Sequence, residues 1–446
     1  MTKKHIAAIV ATFACASSMA QGFSGGAGTQ DNPYLISTVE DFYELNDSTN
    51  SNKTAGRYYK LTQDITAPVK SEVGTTGEFY FNGDFDGAGH SVTVDIVKQA
   101  NYIGLFGTVL NGSVHDLAVY GRVEGTYSVA GIVGNPSNGA VLYNLANYAD
   151  VTSTDEAMAY SGGVAGYVVS LKQQGSEGAT IRNCANFGTI RGAASGLGGV
   201  IGYSGQSVGN TIEDIANYGR IEGATSNRVA GVIGNPMYYD KVHRVANFGT
   251  LGLGDMSGAL GNTNPEDMGE IFYDKQYACT SVAIPSQEKS TSEMLGERMK
   301  ASLGNGWTYA DDMLPRPSMG GLENAPRAVI YATPVILAEG DDLNNVSKNF
   351  RVVTANGVAW TAKNGNVVIN GDGSVALAKK GEETLTATYE GQSRELVINV
   401  TAVTTGIAEI EAETGDNGTW YTLAGQKVLK PTKGIFIHNG KKVVFK

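Results

Sequence analysis

Few residues in this 446-residue chain have the type and spacing to do chemistry, and most of those are paired acids. Asp84 and Asp86 flank Phe85 inside a Gly83-to-Gly87 turn, and Asp311-Asp312 and Asp341-Asp342 are adjacent pairs. Two carboxylates can divide acid and base work in polysaccharide cleavage. Aspartate is also an ordinary turn residue, so Asp84 and Asp86 read first as turn formers and the other pairs as solvated loop residues. The histidines are His5, His90, His115, His243 and His438. His115 and His243 stand in like contexts, Val114-His115-Asp116-Leu117 and Val242-His243-Arg244-Val245, which assigns both to one repeated surface position. There is no His-Glu-x-x-His zinc motif, no Gly-x-Ser-x-Gly elbow and no phosphate-cradling loop with a lysine. The expectation from these residues is no catalytic set, no cofactor and no metal.

The elements that must position these side chains repeat. Gly-x-x-Gly with apolar residues between the glycines recurs at Gly104, Gly131, Gly163, Gly199, Gly231 and Gly258, with spacings of 27, 32, 36, 32 and 27 residues. A second word alternates with it: Ala146-Asn147-Tyr148, Ala185-Asn186-Phe187, Ala216-Asn217-Tyr218 and Ala246-Asn247-Phe248. Periods in this range mark a solenoid. Each repeat predicts one coil of about three short strands, as in Arg220 to Glu222, Val229 to Ile233 and Val242 to Asn247. The asparagines are expected to stack at a turn and exchange side-chain hydrogen bonds. Cys184 occupies the position held elsewhere by Leu117, Leu145, Ile215 and Val245, so it reads as a buried apolar side chain. The aromatic series Tyr120, Tyr148, Phe187, Tyr218, Phe248 reads as core or corner filling. Facing solvent, it would instead be a sugar-stacking strip.

A net charge of −11 argues against nucleic acid and against general attraction to anionic lipid. Residues 1–20 read as a secretory signal peptide: Lys3 and Lys4, an apolar run from Ile6 to Ala16, then Ser18-Met19-Ala20. Cys15 raises lipidation, although Thr12-Phe13-Ala14 before it fits a lipobox poorly. No other stretch is apolar enough to span a bilayer, so the mature chain is expected to have no membrane span.

The expected fold class is all-β: a right-handed parallel β-helix (solenoid), then an Ig-like β-sandwich and a small β-rich C-terminal tail. Residues 21–100 read as N-terminal cap and first coils, with a helix from Thr38 as N-cap. Residues 101–262 are the repeats and 263–326 a C-terminal cap with a short helix near Ser290. Alternating strands over 328–402 imply the sandwich, with a turn at Asn370-Gly371-Asp372-Gly373. Residues 403–446 are a linker and tail, whose last 30 residues hold six lysines and no acid.

These words resemble GLUG-motif proteins, with Gly188-Thr189-Ile190-Arg191-Gly192 and Gly219-Arg220-Ile221-Glu222-Gly223 matching the motif's ending. Phe85 to Val92 is similar to the coil that opens such β-helices. Ala149-Asp150-Val151-Thr152 departs from the ending and suggests an irregular corner. The resemblance covers roughly residues 25 to 320 and implies a bacterial surface protein of adhesin-like type. Residues 328–402 resemble a bacterial Ig-like group 2 domain, through Trp360, Asp372 to Val375 and Gly381 to Ala387. Trp420 to Val428 with Gly434 to Ile437 and Lys441 to Val444 looks like a C-terminal sorting domain of the Bacteroidota type IX secretion system. That implies export by the type IX machinery through this tail.

The functional expectation is a non-enzymatic adhesin-like protein, secreted or on the outer surface of a Gram-negative bacterium, binding a host or dietary glycan or protein. The alternatives are a polysaccharide-active β-helix lyase or hydrolase, and a structural surface or fimbria-associated component. Insertions between repeats map to loops on one face. They single out Asp155, Glu156 and Tyr160 in one interruption and Lys172, Gln173, Gln174 and Glu177 in the longest one as candidate ligand loops.

Overall fold

The computed structural model describes residues 22–50, 53–75, 79–169, 177–193, 196–205, 208–223, 228–251, 256–275, 278, 286–309, 314–322, 329–330, 352–353, 359–369, 375–389, 392–400, 420–423, 427–429, 431–438 and 441–445. The candidate signal peptide, Cys15, Asp311-Asp312, Asp341-Asp342 and the turn at 370–373 lie outside the described residues.

The chain divides into two compact units, residues 1–325 and 326–446. The first is a parallel β-solenoid. Its register stacks Tyr59, Phe85, Val114, Leu142, Ile181, Ile212, Val242 and Met268 in one column. Ile96, Val123, Val151, Ile190, Ile221 and Leu251 form a second column. Phe106, Val133, Ala165, Ile201 and Ile233 form a third. Nearly all of these side chains are buried, so each coil closes on an apolar interior that it could not bury alone. Three strands per coil are therefore present as expected. Asp150–Ser153 pairs in regular register on both sides, so the irregular corner expected near Ala149 is absent: Val151 still supplies the apolar side chain the column needs.

The two sequence words meet in space. Asn147 Nδ2 donates to Asn186 Oδ1 at 2.8 Å, Asn186 Nδ2 to Asn217 Oδ1 at 2.8 Å, and Asn217 Nδ2 to Asn247 Oδ1 at 2.9 Å. Each amide also closes its own turn, as where Asn186 accepts from Gly188 N and donates to Gly188 O. The four amides are fully buried, and this mutual satisfaction is what makes their burial tolerable. In four of the six Gly-x-x-Gly words the first glycine, Gly131, Gly163, Gly199 or Gly231, lies against the asparagine of its own coil. A Cβ on Gly131 would stand 1.8 Å from Asn147 Oδ1, and one on Gly163 2.2 Å from Asn186 Oδ1. The glycines thus make room for the ladder.

Cys184 pairs with Leu145 and Ile215 and is fully buried. The aromatic series is also buried, with successive rings from Tyr120 to Phe187 stacked 4.6 Å apart. The core reading of that ladder therefore holds.

At the start, a helix Val39–Asn50 buries Phe42 and Leu45. Thr38 and Asp41 cap it reciprocally: Asp41 N donates to Thr38 Oγ1, and Thr38 N to Asp41 Oδ2. After a short helix Thr291–Met294, the chain returns along the side of the solenoid. Trp307 Nε1 donates to Asp214 Oδ1 at 2.8 Å, Tyr218 Oη to Pro315 O, and Asn183 Nδ2 to Ser318 O at 2.9 Å.

In the second unit, Ala359–Ala362, Gly381–Tyr389 and Gln392–Val400 form an antiparallel sheet. A separate four-stranded antiparallel sheet is built from Trp420–Thr422, Lys427–Val428, Gly434–His438 and Lys441–Phe445.

Candidate functional site

Of the predicted loop residues, Tyr160 has the most informative surroundings. Strand Tyr160–Gly162 pairs with Ser128–Ala130 of the preceding coil. Next to it, Tyr167 and Tyr203 are register partners in a different sheet. This brings together half-buried tyrosines from successive coils. Ring centroids are 4.4 Å apart for Tyr160–Tyr203, 5.0 Å for Tyr127–Tyr160, 5.0 Å for Tyr160–Tyr167 and 5.1 Å for Tyr167–Tyr203. Tyr102 extends the cluster at 6.4 Å from Tyr127. Met237 reaches the Tyr203 hydroxyl, and Tyr238 and Tyr239 are exposed just beyond it. Burial together with neighbouring tyrosines pushes the Tyr127 hydroxyl well above its ordinary value, so it stays a neutral donor.

The other predicted residues are dispersed. Asp155 closes a turn by accepting from Ala157 N at 2.8 Å and Met158 N at 3.0 Å. Glu156 and Glu177 are exposed. Lys172, Gln173 and Gln174 lie outside the described residues. Tyr160 is legible in the sequence through the broken repeat. Tyr102, Tyr127, Tyr167 and Tyr203 fall outside the candidate loops, although they recur beside the Gly-x-x-Gly words.

A second assembly gathers residues that lie far apart in the sequence. Asp86, His115, Tyr143, Arg182, Glu213 and His243 occupy one surface column, which bears out the equivalence of the two histidines. His115 Nδ1 lies 2.7 Å from Asp116 Oδ2 and 3.8 Å from Asp86 Oδ1, and its Nε2 lies 3.4 Å from Asp84 Oδ1. Its ring stacks on Tyr143 at 4.5 Å. Asp84 and Asp86 are therefore more than turn formers: strand alternation aims both at one histidine. Burial resists a charge on His115, but Asp116 and Asp84 outweigh it and raise its pKa to about 9. Burial likewise resists ionisation of Asp84, and the bonds from His115 and Ser113 overcome it, holding Asp84 below the usual carboxylate value. The cluster at neutral pH is an imidazolium among carboxylates. Asp86, His115 and Asp116 place ligand atoms within 4.8 Å of one another, a set that would take a divalent cation only after His115 lost its proton.

Known proteins resemble parts of this chain. No known family profile matches it. A "Putative Gly-rich membrane protein" of Evansella cellulosilytica is 31% identical over 132 residues, 27% of this chain and 15% of that protein. "Halomucin" of Haloquadratum walsbyi is 27% identical over 154 residues, 32% of this chain and 2% of that protein. The chain thus spans a small fraction of the curated relatives it matches. Among solved structures, a "putative immunoglobulin A1 protease" from Bacteroides ovatus superposes with a TM-score of 0.53 at 19% identity, covering 67% of this chain and 95% of that one. This likeness supports the solenoid fold. It also overturns the expectation that the chain is no enzyme, because a solenoid of this form carries a protease's name. Motif absence was too narrow a ground for that exclusion, since acid–base residues of a solenoid converge from different coils, as around His115. No helix among the described residues is long and apolar enough to cross a membrane.

Proposed function

We propose that this is an adhesin-like protein, secreted or held on the outer surface of a Gram-negative bacterium, which binds a host or dietary glycan or protein through the tyrosine face around Tyr160. The observation that carries the reading is the contact of Tyr102, Tyr127, Tyr160, Tyr167 and Tyr203 across successive coils, each ring only partly buried. Tyrosine offers a broad apolar face and a hydroxyl at low entropic cost, which suits recognition surfaces. The GLUG-like, Ig-like and sorting-tail resemblances support surface display and export by type IX machinery. The Gly-rich membrane protein of Evansella is consistent with a surface setting. Binding of the purified chain to arrayed glycans and host proteins, compared with Tyr160→Ala, tests the reading. Loss of binding with unchanged melting supports it.

A second reading is cleavage of a bound polymer. It is favoured by the convergence of Asp84, Asp86 and Asp116 on His115 and by the protease name of the structural neighbour. Incubation with immunoglobulin A1 and with polysaccharides tests it. Fragments formed by the parent chain and not by His115→Gln support it, and intact substrates in both contradict it.

A further inference from the structure

We propose that a cavity beside Asp84, at the N-terminal end of the solenoid, is a binding site for a neutral sugar residue, separate from the tyrosine face. The cavity has a volume of about 520 Å³, within the roughly 300–1,000 Å³ range of small-molecule sites. Arg57, Tyr58, Tyr80, Asn82, Asp84 and Ser113 give it its chemistry.

The polar groups there are arranged for hydroxyls. Asp84 is about one-third exposed and oriented by Ser113 and His115, so it presents a fixed carboxylate acceptor. Arg57 is exposed and makes no ion pair among the described residues. Asn82 receives a bond from Thr54 Oγ1 at its Oδ1, while its Nδ2 has no protein acceptor among the described residues. A fixed acceptor beside two open donors matches a ring carrying adjacent hydroxyls, each both donor and acceptor. Tyr58 and Tyr80 supply aromatic surface for the C–H face of such a ring. The Asp84 carboxylate in the lining disfavours an acidic sugar. Asp84 and Arg57 are the charged residues that line the cavity, and the Asp84 carboxylate repels a second carboxylate beside it. Arg57 and Ala55 also border a neighbouring cavity of about 590 Å³ lined by Phe23, Tyr34, Glu44 and Lys53, so a second unit of a chain has room.

His115 acts here as a positioning residue: it fixes the orientation of Asp84 without lining the cavity. The test is saturation-transfer NMR on the full chain with methyl glycosides of glucose, galactose, mannose, fucose and N-acetylglucosamine, and with glucuronate as the acidic comparison. The expected result is transfer to at least one neutral glycoside and weaker transfer to glucuronate. Affinity should fall tenfold or more in Asp84→Asn, as for loss of a charge-assisted bond. It should also fall in the surface variant Arg57→Gln, which removes no described ion pair. Absence of transfer from every neutral glycoside overturns the proposal. So does transfer that survives both Asp84→Asn and Arg57→Gln, or that disappears only in Tyr160→Ala.

Discussion

Gly199 and Asn217 are in such close approach that a Cβ on the glycine would stand 2.3 Å from Asn217 Cγ. The two belong to different sequence words, so the solenoid is held by a match between its repeats rather than by either one alone. Gly199→Ala should force Asn217 out of line with Asn186 and Asn247. The expected cost is about 1–3 kcal/mol, as for one buried polar group left unsatisfied. Thermal melting of Gly199→Ala beside Gly89→Ala checks this, because nothing lies within 4 Å of a Cβ at Gly89. Gly89 has φ +79°, so its own modest strain sets the baseline.

Asn186→Ala removes the amide that both donates to Asn217 and accepts from Asn147. It should destabilise the chain by more than Asn247→Ala, because Asn247 ends the ladder and only accepts within it. Denaturant melts of the two variants give the comparison.

His115 makes stability depend on pH in a defined direction. Its pKa is raised from the ordinary 6.5 to about 9 in the folded chain, because Asp116 and Asp84 outweigh burial. A raised pKa means that the folded state holds the proton more tightly. The contribution is therefore complete below about pH 6.5 and is lost as pH rises through about 9. The parent chain should exceed His115→Gln in melting temperature by a margin that narrows between pH 6 and pH 10. A margin constant over that range would contradict the assignment.

Trp307 fastens the returning C-terminal segment through its indole bond to Asp214, which Arg244 also engages at 2.7 Å. Trp307→Phe keeps most of the buried ring and loses the bond. Limited proteolysis should then cut within residues 304–322 sooner than in the parent, while the ladder coils stay protected.

Much of the fold was legible because a solenoid repeats its reasons. Cys184 could be placed among Leu145 and Ile215 from sequence alone, since each coil offers the same position to the core. The contacts around His115 were not legible. Asp84, Asp86 and Asp116 come from two coils, and only register shows that strand alternation turns them toward one ring. The path of Trp307 back to Asp214 was equally hidden, because nothing periodic links residue 307 to the coils it lies on. Tyr160 was visible as a break in the repeat; its partners Tyr127 and Tyr203 recur beside the Gly-x-x-Gly words, but their contact runs between coils and only the register shows it.

Recognition of the ligand is assigned to the tyrosine face. Its most direct test is binding of the full chain to arrayed glycans and host proteins, read in parallel for the parent and for Tyr160→Ala with Tyr203→Ala. The parent should retain a defined set of ligands, and both tyrosine variants should lose at least one of them although both melt as the parent does. Equal retention by the folded variants, or no retained ligand for the parent, would contradict it.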